Sequence, residues 1–226
     1  MLVLAFDTAT AAITVALYEW TPGEGAVPRG LAEDVDPRRH TELLIPSIAG
    51  VMAEAGAASG DLSAIAVGVG PGPYTGLRVG LVTARAMGEA LSIPVHGVCT
   101  LDVIAWATGR DEPFAVATDA RRKEVYWARY HSARARATGP AVGPPSDVLD
   151  GAPHGFPVVG EGAALYPDVL GGSGHEPLLP TAGALAELAI ARLAGLKVPP
   201  LLPPEPLYLR RPDAKEPGPR KKVTPA

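Results

Sequence analysis

Short apolar runs separated by polar and glycine-rich breaks set the plan of this chain. Residues 2–6 are apolar and stop at Asp7 and Thr8, and residues 13–18 form a second β-rich run, so the pair predicts a hairpin. Gly23, Gly25, Pro28 and Gly30 predict a loop after it. Over residues 41–55, Leu44, Ile48, Val51, Met52 and Ala55 recur at helical spacing with Gly56 placed as a stop, while Pro46 predicts a later start or a kink. Residues 64–69 read as a buried strand that feeds a Gly/Pro loop and a helix over residues 76–91. A strand over 94–98 follows, and Thr100 is placed to cap a helix through Ala107. Strands alternating with helices predict an α/β fold with a largely parallel sheet.

The second half opens the same way. Residues 114–118 are apolar and end at Asp119, then come a basic turn and a β-rich run over 125–130. Laid 112 residues apart, the two openings match without a gap at Ala5 and Ala117, Asp7 and Asp119, Ala16 and Ala128, and Tyr18 and Tyr130. Two lobes that each begin with a hairpin carrying a turn-side Asp are the plan of the actin-like, ribonuclease H-like fold, in which those turns face phosphates across a cleft. The division expected is residues 1–108 for the first lobe, 109–210 for the second, and a polar Pro/Lys-rich tail over 211–226. Past Ala133 the pattern supports only a strand over 156–159 and a helix over 181–194.

Composition narrows the classes. The 226 residues, 47% of them hydrophobic, suffice for a sizeable core or two small lobes sharing a cleft. Seventeen of the 25 prolines lie from Pro140 onward, which predicts a loop-rich second half. A net charge of −4 leaves no broad basic footprint, so any RNA substrate would be gripped mainly by another subunit. Cys99 stands alone, which excludes an intrachain disulfide and suits a small buried hydrophobe. The apolar start has no basic flank and no apolar run approaches the roughly 20 residues of a membrane span, so the expected location is the cytoplasm.

Candidate chemistry is sparse. Asp7, Thr8, Ala9 and Thr10 stand where an actin-like ATPase would hold phosphate and Mg²⁺, but such turns usually carry glycine for close phosphate approach, and Ala9 supplies a Cβ. The alternative is that Asp7 and Thr8 satisfy the hairpin turn. Residues 70–76, Gly-Pro-Gly-Pro-Tyr-Thr-Gly, lie between a strand and a helix as a phosphate loop would, yet they fail the Walker and dinucleotide patterns, and two prolines remove donors; Arg78 keeps an anion option open. His40, His96, His131, His154 and His175 include no pair at metal-binding helical spacing, and Ser173 has the wrong flanks for a nucleophile elbow. Arg121, Arg122 and Lys123 read either as a phosphate contact or as a solvated hairpin tip, and Gly160-Glu161-Gly162 as a weak adenosine-facing motif. Gly76, Gly80, Ala84 and Gly88 form a four-residue-spaced ridge of small residues, the signature of close backbone approach by a partner or by the protein's own sheet.

The motifs resemble one family closely. Residues 70–80, Gly-Pro-Gly-Pro-Tyr-Thr-Gly-Leu-Arg-Val-Gly, are similar to the Gly-Pro-Gly-Ser-Phe-Thr-Gly-Leu-Arg-Ile-Gly of the TsaB family, the dimerisation subunits of the machinery that makes threonylcarbamoyladenosine in tRNA. Asp7-Thr8-Ala9-Thr10, His40-Thr41-Glu42 with Leu43, Leu44 and Pro46, Asp119-Ala120-Arg121-Arg122, Glu124-Val125-Tyr126-Trp127 and Leu207-Tyr208-Leu209-Arg210 keep the family's order and spacing. Departures are Pro73 for Ser, Tyr74 for Phe and Ala9 for Ser. The resemblance implies an actin-like fold without a catalytic site, cofactor or metal. It implies pairing with a TsaD-type transferase, recruitment of a TsaE-type ATPase, and contact with tRNA only through that complex, with a homodimer as an option for the isolated chain. It directs Leu44, Ile48, Val51, Gly76, Gly80, Ala84 and Gly88 to the partner interface, and leaves Asp7, Thr8, Thr10, Asp119 and Arg121 as a nucleotide-site remnant. The competing readings are an actin-like ATPase or phosphotransferase and a metallopeptidase.

Overall fold

The computed structural model describes residues 1–171 and 176–210, so the polar tail expected over 211–226, together with Ser173 and His175, lies outside the described residues. Two sheets form the frame. The first has the order β3-β2-β1-β4-β5, from β1 (Leu2–Asp7), β2 (Ala12–Thr21), β3 (Gly25–Val35), β4 (Ala64–Gly68) and β5 (Val95–Val98). β1, β2 and β3 pair antiparallel, and β4 and β5 join parallel. The second sheet repeats this in the order β8-β7-β6-β9, from β6 (Phe114–Asp119), β7 (Val125–Ser132), β8 (Ala135–Gly143) and β9 (Val158–Val159).

Helices complete five layers. α1 (His40–Glu54) and α2 (Tyr74–Leu91) cover one face of the first sheet through Leu44, Ile48, Val51, Leu77 and Leu81 against Leu4, Phe6 and Val67. α3 (Thr100–Thr108) and α6 (Ala182–Leu193) fill the middle layer. Val103 and Leu185 pack on the first sheet's other face, while Leu101 and Ile104 pack on Phe114 and Tyr130 of the second. α4 (Glu161–Leu165), α5 (Pro167–Leu170) and a 3-10 turn at Pro145–Leu149 make a thin outer layer on the second sheet through Ala163, Leu170 and Val148. The architecture is the duplicated, actin-like α/β plan. The expected lobe boundary needs one correction, because α6 lies within 109–210 yet packs on the first sheet.

Several local expectations change. The loop foreseen around Gly23 to Gly30 is mostly β3, an edge strand, where Pro28 needs no ladder donor and sits at a bulge opposite Leu17 and Tyr18. Gly30 is required because a Cβ there would stand 2.9 Å from the Val51 carbonyl oxygen as α1 crosses the strand. α1 starts at His40, not later, and continues through Pro46 on its exposed side, and α2 starts at Tyr74. Cys99 rather than Thr100 precedes α3 as its cap residue, and β8 was not foreseen at all.

The ungapped match between the lobes is half right. In β2 and β7, Ala16 and Tyr18 correspond to Ala128 and Tyr130, all four facing the middle layer. In β1 and β6 the match is off by one: Ala5 faces the middle layer, whereas Ala117 faces the outer one. Asp7 lies opposite Thr14, while Asp119 lies opposite Val125, so the second turn is one residue shorter. Because strand side chains alternate faces, that single residue sends Asp7 and Asp119 to opposite sides of their sheets.

Candidate functional site

Asp7, Thr8 and Thr10 come together with the 70–76 loop, but each is engaged within the protein. Asp7 is fully buried; its Oδ1 accepts the Ala9 N–H at 2.6 Å and its Oδ2 accepts the Thr100 hydroxyl at 2.8 Å. Burial pushes its carboxyl up to about 6, against the pull of the Ala9 and Thr100 donors and nearby His40. Thr100 Oγ1 also accepts the Gly70 N–H at 3.2 Å, so one carboxylate and one hydroxyl tie β1, α3 and the loop. Thr8 Oγ1 donates to the Gly76 carbonyl at 2.8 Å and accepts the Gly80 N–H at 3.1 Å. The Thr10 carbonyl accepts His40 Nε2 at 2.8 Å, which pins the start of α1 to the same turn.

Side-chain-free positions make this closeness possible. A Cβ at Gly72 would overlap the Ala9 carbonyl, one at Gly68 the Asp7 carboxylate, and one at Gly76 the Thr8 carbonyl. The turn that would face a phosphate and the loop that would cradle one are therefore packed against each other, each holding the other's polar groups. Among the described residues, no group of three or more His, Cys, Asp or Glu is placed to hold a metal ion.

The ridge of small residues on α2 faces inward, which corrects its assignment to a partner interface. Gly80 lies against Thr8 and Val67, Gly76 against Thr8 and His40, and Gly88 against Val95, and Ala84 is fully buried. Leu44, Ile48 and Val51 are buried in the same core. Sequence could show that something approaches α2 closely, but not that it is the protein's own first hairpin turn and the β4 and β5 strands. The outward side of the two helices carries other residues: Ile45 is 55% exposed and Val82 66%, with Ala49 and Ala86 exposed near them.

Asp119 and Arg121 do not join Asp7. Asp119 Oδ1 accepts the Arg121 N–H at 2.8 Å, and its Oδ2 pairs with the Arg121 guanidinium at 3.0 Å. It faces Glu161 at the start of α4, whose carboxyl is raised by burial and by Asp119 itself. Arg121, Arg122 and Lys123 adopt φ of 61°, 55° and 62°, three consecutive left-handed residues without a glycine, a conformation costing roughly 1–2 kcal/mol each.

Sequence reasoning missed the strap that spans both lobes. Leu202 bridges Gly97, the Leu207 N–H donates to the Val69 carbonyl at 2.9 Å, and Arg210 donates to the Ala120 carbonyl at 3.4 Å and ion-pairs with Glu124. Between them the Tyr208 ring stacks on Tyr74 at 5.3 Å, Arg78 lies 4.1 Å over Tyr74, and Arg78 Nε donates to the Tyr208 hydroxyl at 3.3 Å. The Leu-Tyr-Leu-Arg motif was the available signal, without a clue to its contacts.

A second buried cluster joins the middle layer to the second sheet. Asp102 accepts the Tyr130 hydroxyl at 2.8 Å and pairs with Arg136 at 3.3 Å. Burial raises the Asp102 carboxyl while Arg136 and Tyr130 pull it back. Cys99 nearby has its thiol pushed up to about 12 by burial and by Asp102.

The family described as TsaD, tRNA N6-adenosine threonylcarbamoyltransferase, matches residues 19–170. The Escherichia coli tRNA threonylcarbamoyladenosine biosynthesis protein TsaB is 32% identical over 228 residues, covering 93% of this chain and 95% of that protein. An uncharacterised Mycobacterium tuberculosis protein is 45% identical over 94% of this chain and 93% of its own length. A Mycobacterium leprae relative is 46% identical, and the chain spans 56% of its length. A Pseudomonas aeruginosa crystal structure, described as similar to peptidase YeaZ, superposes with a TM-score of 0.75 at 31% identity, covering 92% of this chain and 99% of that one.

Proposed function

The chain belongs to the TsaB family, and from that membership we propose that it is the non-catalytic scaffold subunit of a cytoplasmic tRNA threonylcarbamoyladenosine complex. Involvement in that biosynthesis comes from the TsaB relatives, the E. coli protein above all. The scaffold role is supported by one observation on this chain: the hairpin turn and the loop that would serve a phosphate are bonded to each other through Thr8, Gly76 and Gly80. The subunit pairs with a TsaD-type transferase, engages a TsaE-type ATPase, and meets tRNA within the assembly.

The outward faces of α1 and α2 are the docking surface in this reading, since the inward residues first considered are used by the core. Ile45 and Val82 are large apolar side chains left open there. The same face can pair two copies when the transferase is absent. The experiment is co-purification of the transferase from the native cell with wild type, Val82→Glu and Ile45→Glu. Loss of the partner with unchanged circular dichroism is the expected result. Full retention by both variants would move the interface elsewhere, and ATP turnover by the isolated chain that disappears in Asp7→Ala would overturn the scaffold role.

A further inference from the structure

Net charge gives the chain no broad attraction to nucleic acid, yet its cations are not evenly spread. The tip of the β6–β7 hairpin exposes Arg121, Arg122 and Lys123 in succession. Their left-handed backbone would be easier for glycine, and residues held in such conformations cluster where a protein acts. The turn is also braced. Asp119 accepts the Arg121 N–H, the Ala120 N–H donates to the Glu124 carbonyl at 3.0 Å, the Glu124 N–H donates to the Arg121 carbonyl at 3.0 Å, and Arg210 holds Ala120 and Glu124 from outside.

The strap that supplies Arg210 carries Tyr208 two residues earlier. Tyr208 and Tyr74 are 39% and 43% exposed and stack with an interplanar angle of 19°, beside Arg78. Among the described residues, the Arg78 charge rests on a ring face and a tyrosine hydroxyl rather than on a carboxylate. Exposed aromatic rings next to arginines, with further cations along the same strip, are what proteins use to hold unpaired nucleotides, with a base on the ring and phosphates on the cations. Asp119 and Glu124 neutralise part of Arg121 and Arg210, so the contact is modest and suits a secondary grip within a larger assembly.

We propose that Tyr74, Arg78 and Tyr208, together with the turn Arg121, Arg122 and Lys123 braced by Arg210, form an RNA-contact strip for an unpaired stretch of the tRNA substrate. The identity of the RNA rests on the tRNA-biosynthesis reading above; the strip itself rests on its own geometry. An acidic protein surface would be drawn to the same cations, and the experiment separates the two.

Full-length wild type, Lys123→Gly, Tyr208→Ala and Arg85→Ala are titrated with an unmodified tRNA transcript by fluorescence anisotropy over a series of salt concentrations, with thermal melts in parallel. Lys123→Gly is expected to melt higher, because glycine relieves the left-handed strain, and yet to bind tRNA several-fold more weakly, with the salt slope reduced by about 1. Tyr208→Ala is expected to weaken binding by roughly 5-fold or more with an unchanged slope, as loss of a stacking platform does. Arg85→Ala, on α2 outside the strip, should change neither. Wild-type affinity in both Lys123→Gly and Tyr208→Ala overturns the proposal, and a turn of purely structural role would show the higher melting point alone. Loss of the co-purifying transferase with unchanged tRNA affinity would make the strip a protein interface and also overturn it. If instead the tRNA effects appear but wild type never co-purifies with a transferase, the scaffold reading fails and the RNA strip stands.

Discussion

Gly80→Ala is the sharpest probe of the packed turn and loop. In an ordinary exposed helix this change would stabilise by about 1 kcal/mol. Here the new Cβ would stand 2.5 Å from Thr8 Oγ1, the atom that accepts the Gly80 N–H and donates to the Gly76 carbonyl. Displacing that hydroxyl breaks two buried hydrogen bonds, worth about 1 kcal/mol each, and forces the backbones apart, with overpacking of about 1–3 kcal/mol. Set against the propensity gain, the net loss is about 3 kcal/mol, which for a chain of this size is a melting-point drop of roughly 6–12 °C. The next atoms the Cβ would meet, Thr8 Cβ and Val67 Cγ2, lie at 3.7 Å, an ordinary contact. In a Thr8→Ala background, Gly80→Ala should therefore be neutral or stabilising. Urea unfolding of wild type, both single variants and the double variant gives the coupling energy, expected to be near 3 kcal/mol. Additivity within about 0.5 kcal/mol would refute the reasoning, because it would mean that the Thr8 hydroxyl is not what excludes a side chain at position 80.

Three further outcomes follow from the buried polar groups. Burial raises the folded Asp7 carboxyl from an ordinary 3.8 to about 6, so its stabilising share is complete below pH 3.8 and is lost as pH rises through 6, at most about 3 kcal/mol; Asp7→Asn should flatten urea stability across that window, and an unchanged pH profile would contradict the shift. Cys99 should resist iodoacetamide at pH 8 in the folded protein and react at the unfolded rate in denaturant, since its thiol is buried and pushed up to about 12; rapid native labelling would contradict its placement. Asp102→Asn leaves the Arg136 cation half-buried without its counter-charge and should cost about 3 kcal/mol in urea unfolding, while a loss under 1 kcal/mol would show that Arg136 finds solvent instead.

What could be read from the chain follows how local each signal is. β1, β4 and β6 are continuous apolar runs, and α2 and α6 have clear periodicity, so they were legible together with the α/β class. β3 was hidden because Gly25, Pro28 and Gly30 carry turn chemistry, and only the passage of α1 across Gly30 and the strand's edge position explain them. β8 likewise sits at a sheet edge, with five of its nine residues Ala or Gly, so little alternation marks it. The duplication was legible as architecture, but identities could not reveal that the second hairpin turn is one residue shorter, and so Asp7 and Asp119 were wrongly paired. At the site, Asp7, Thr8 and Thr10 were singled out for the right region. Their partners Thr100, Gly76, Gly80 and His40 lie 30 to 93 positions away, beyond the reach of any local pattern.

The middle layer has a consequence for how the chain is made. The first sheet is fully synthesised once β5 has emerged, at Val98, but its inner face, with Val3, Ala5, Ala16 and Ala66, is covered largely by α6, which ends at Leu193. A ribosome adding about 5–20 residues per second needs roughly 5–19 s to supply that missing helix. Through that interval the nascent first lobe presents an open apolar sheet surface, a natural target for a holding chaperone. A premature stop anywhere before α6 would leave the surface permanently uncovered, so truncated products should be cleared or aggregate rather than persist as a folded half.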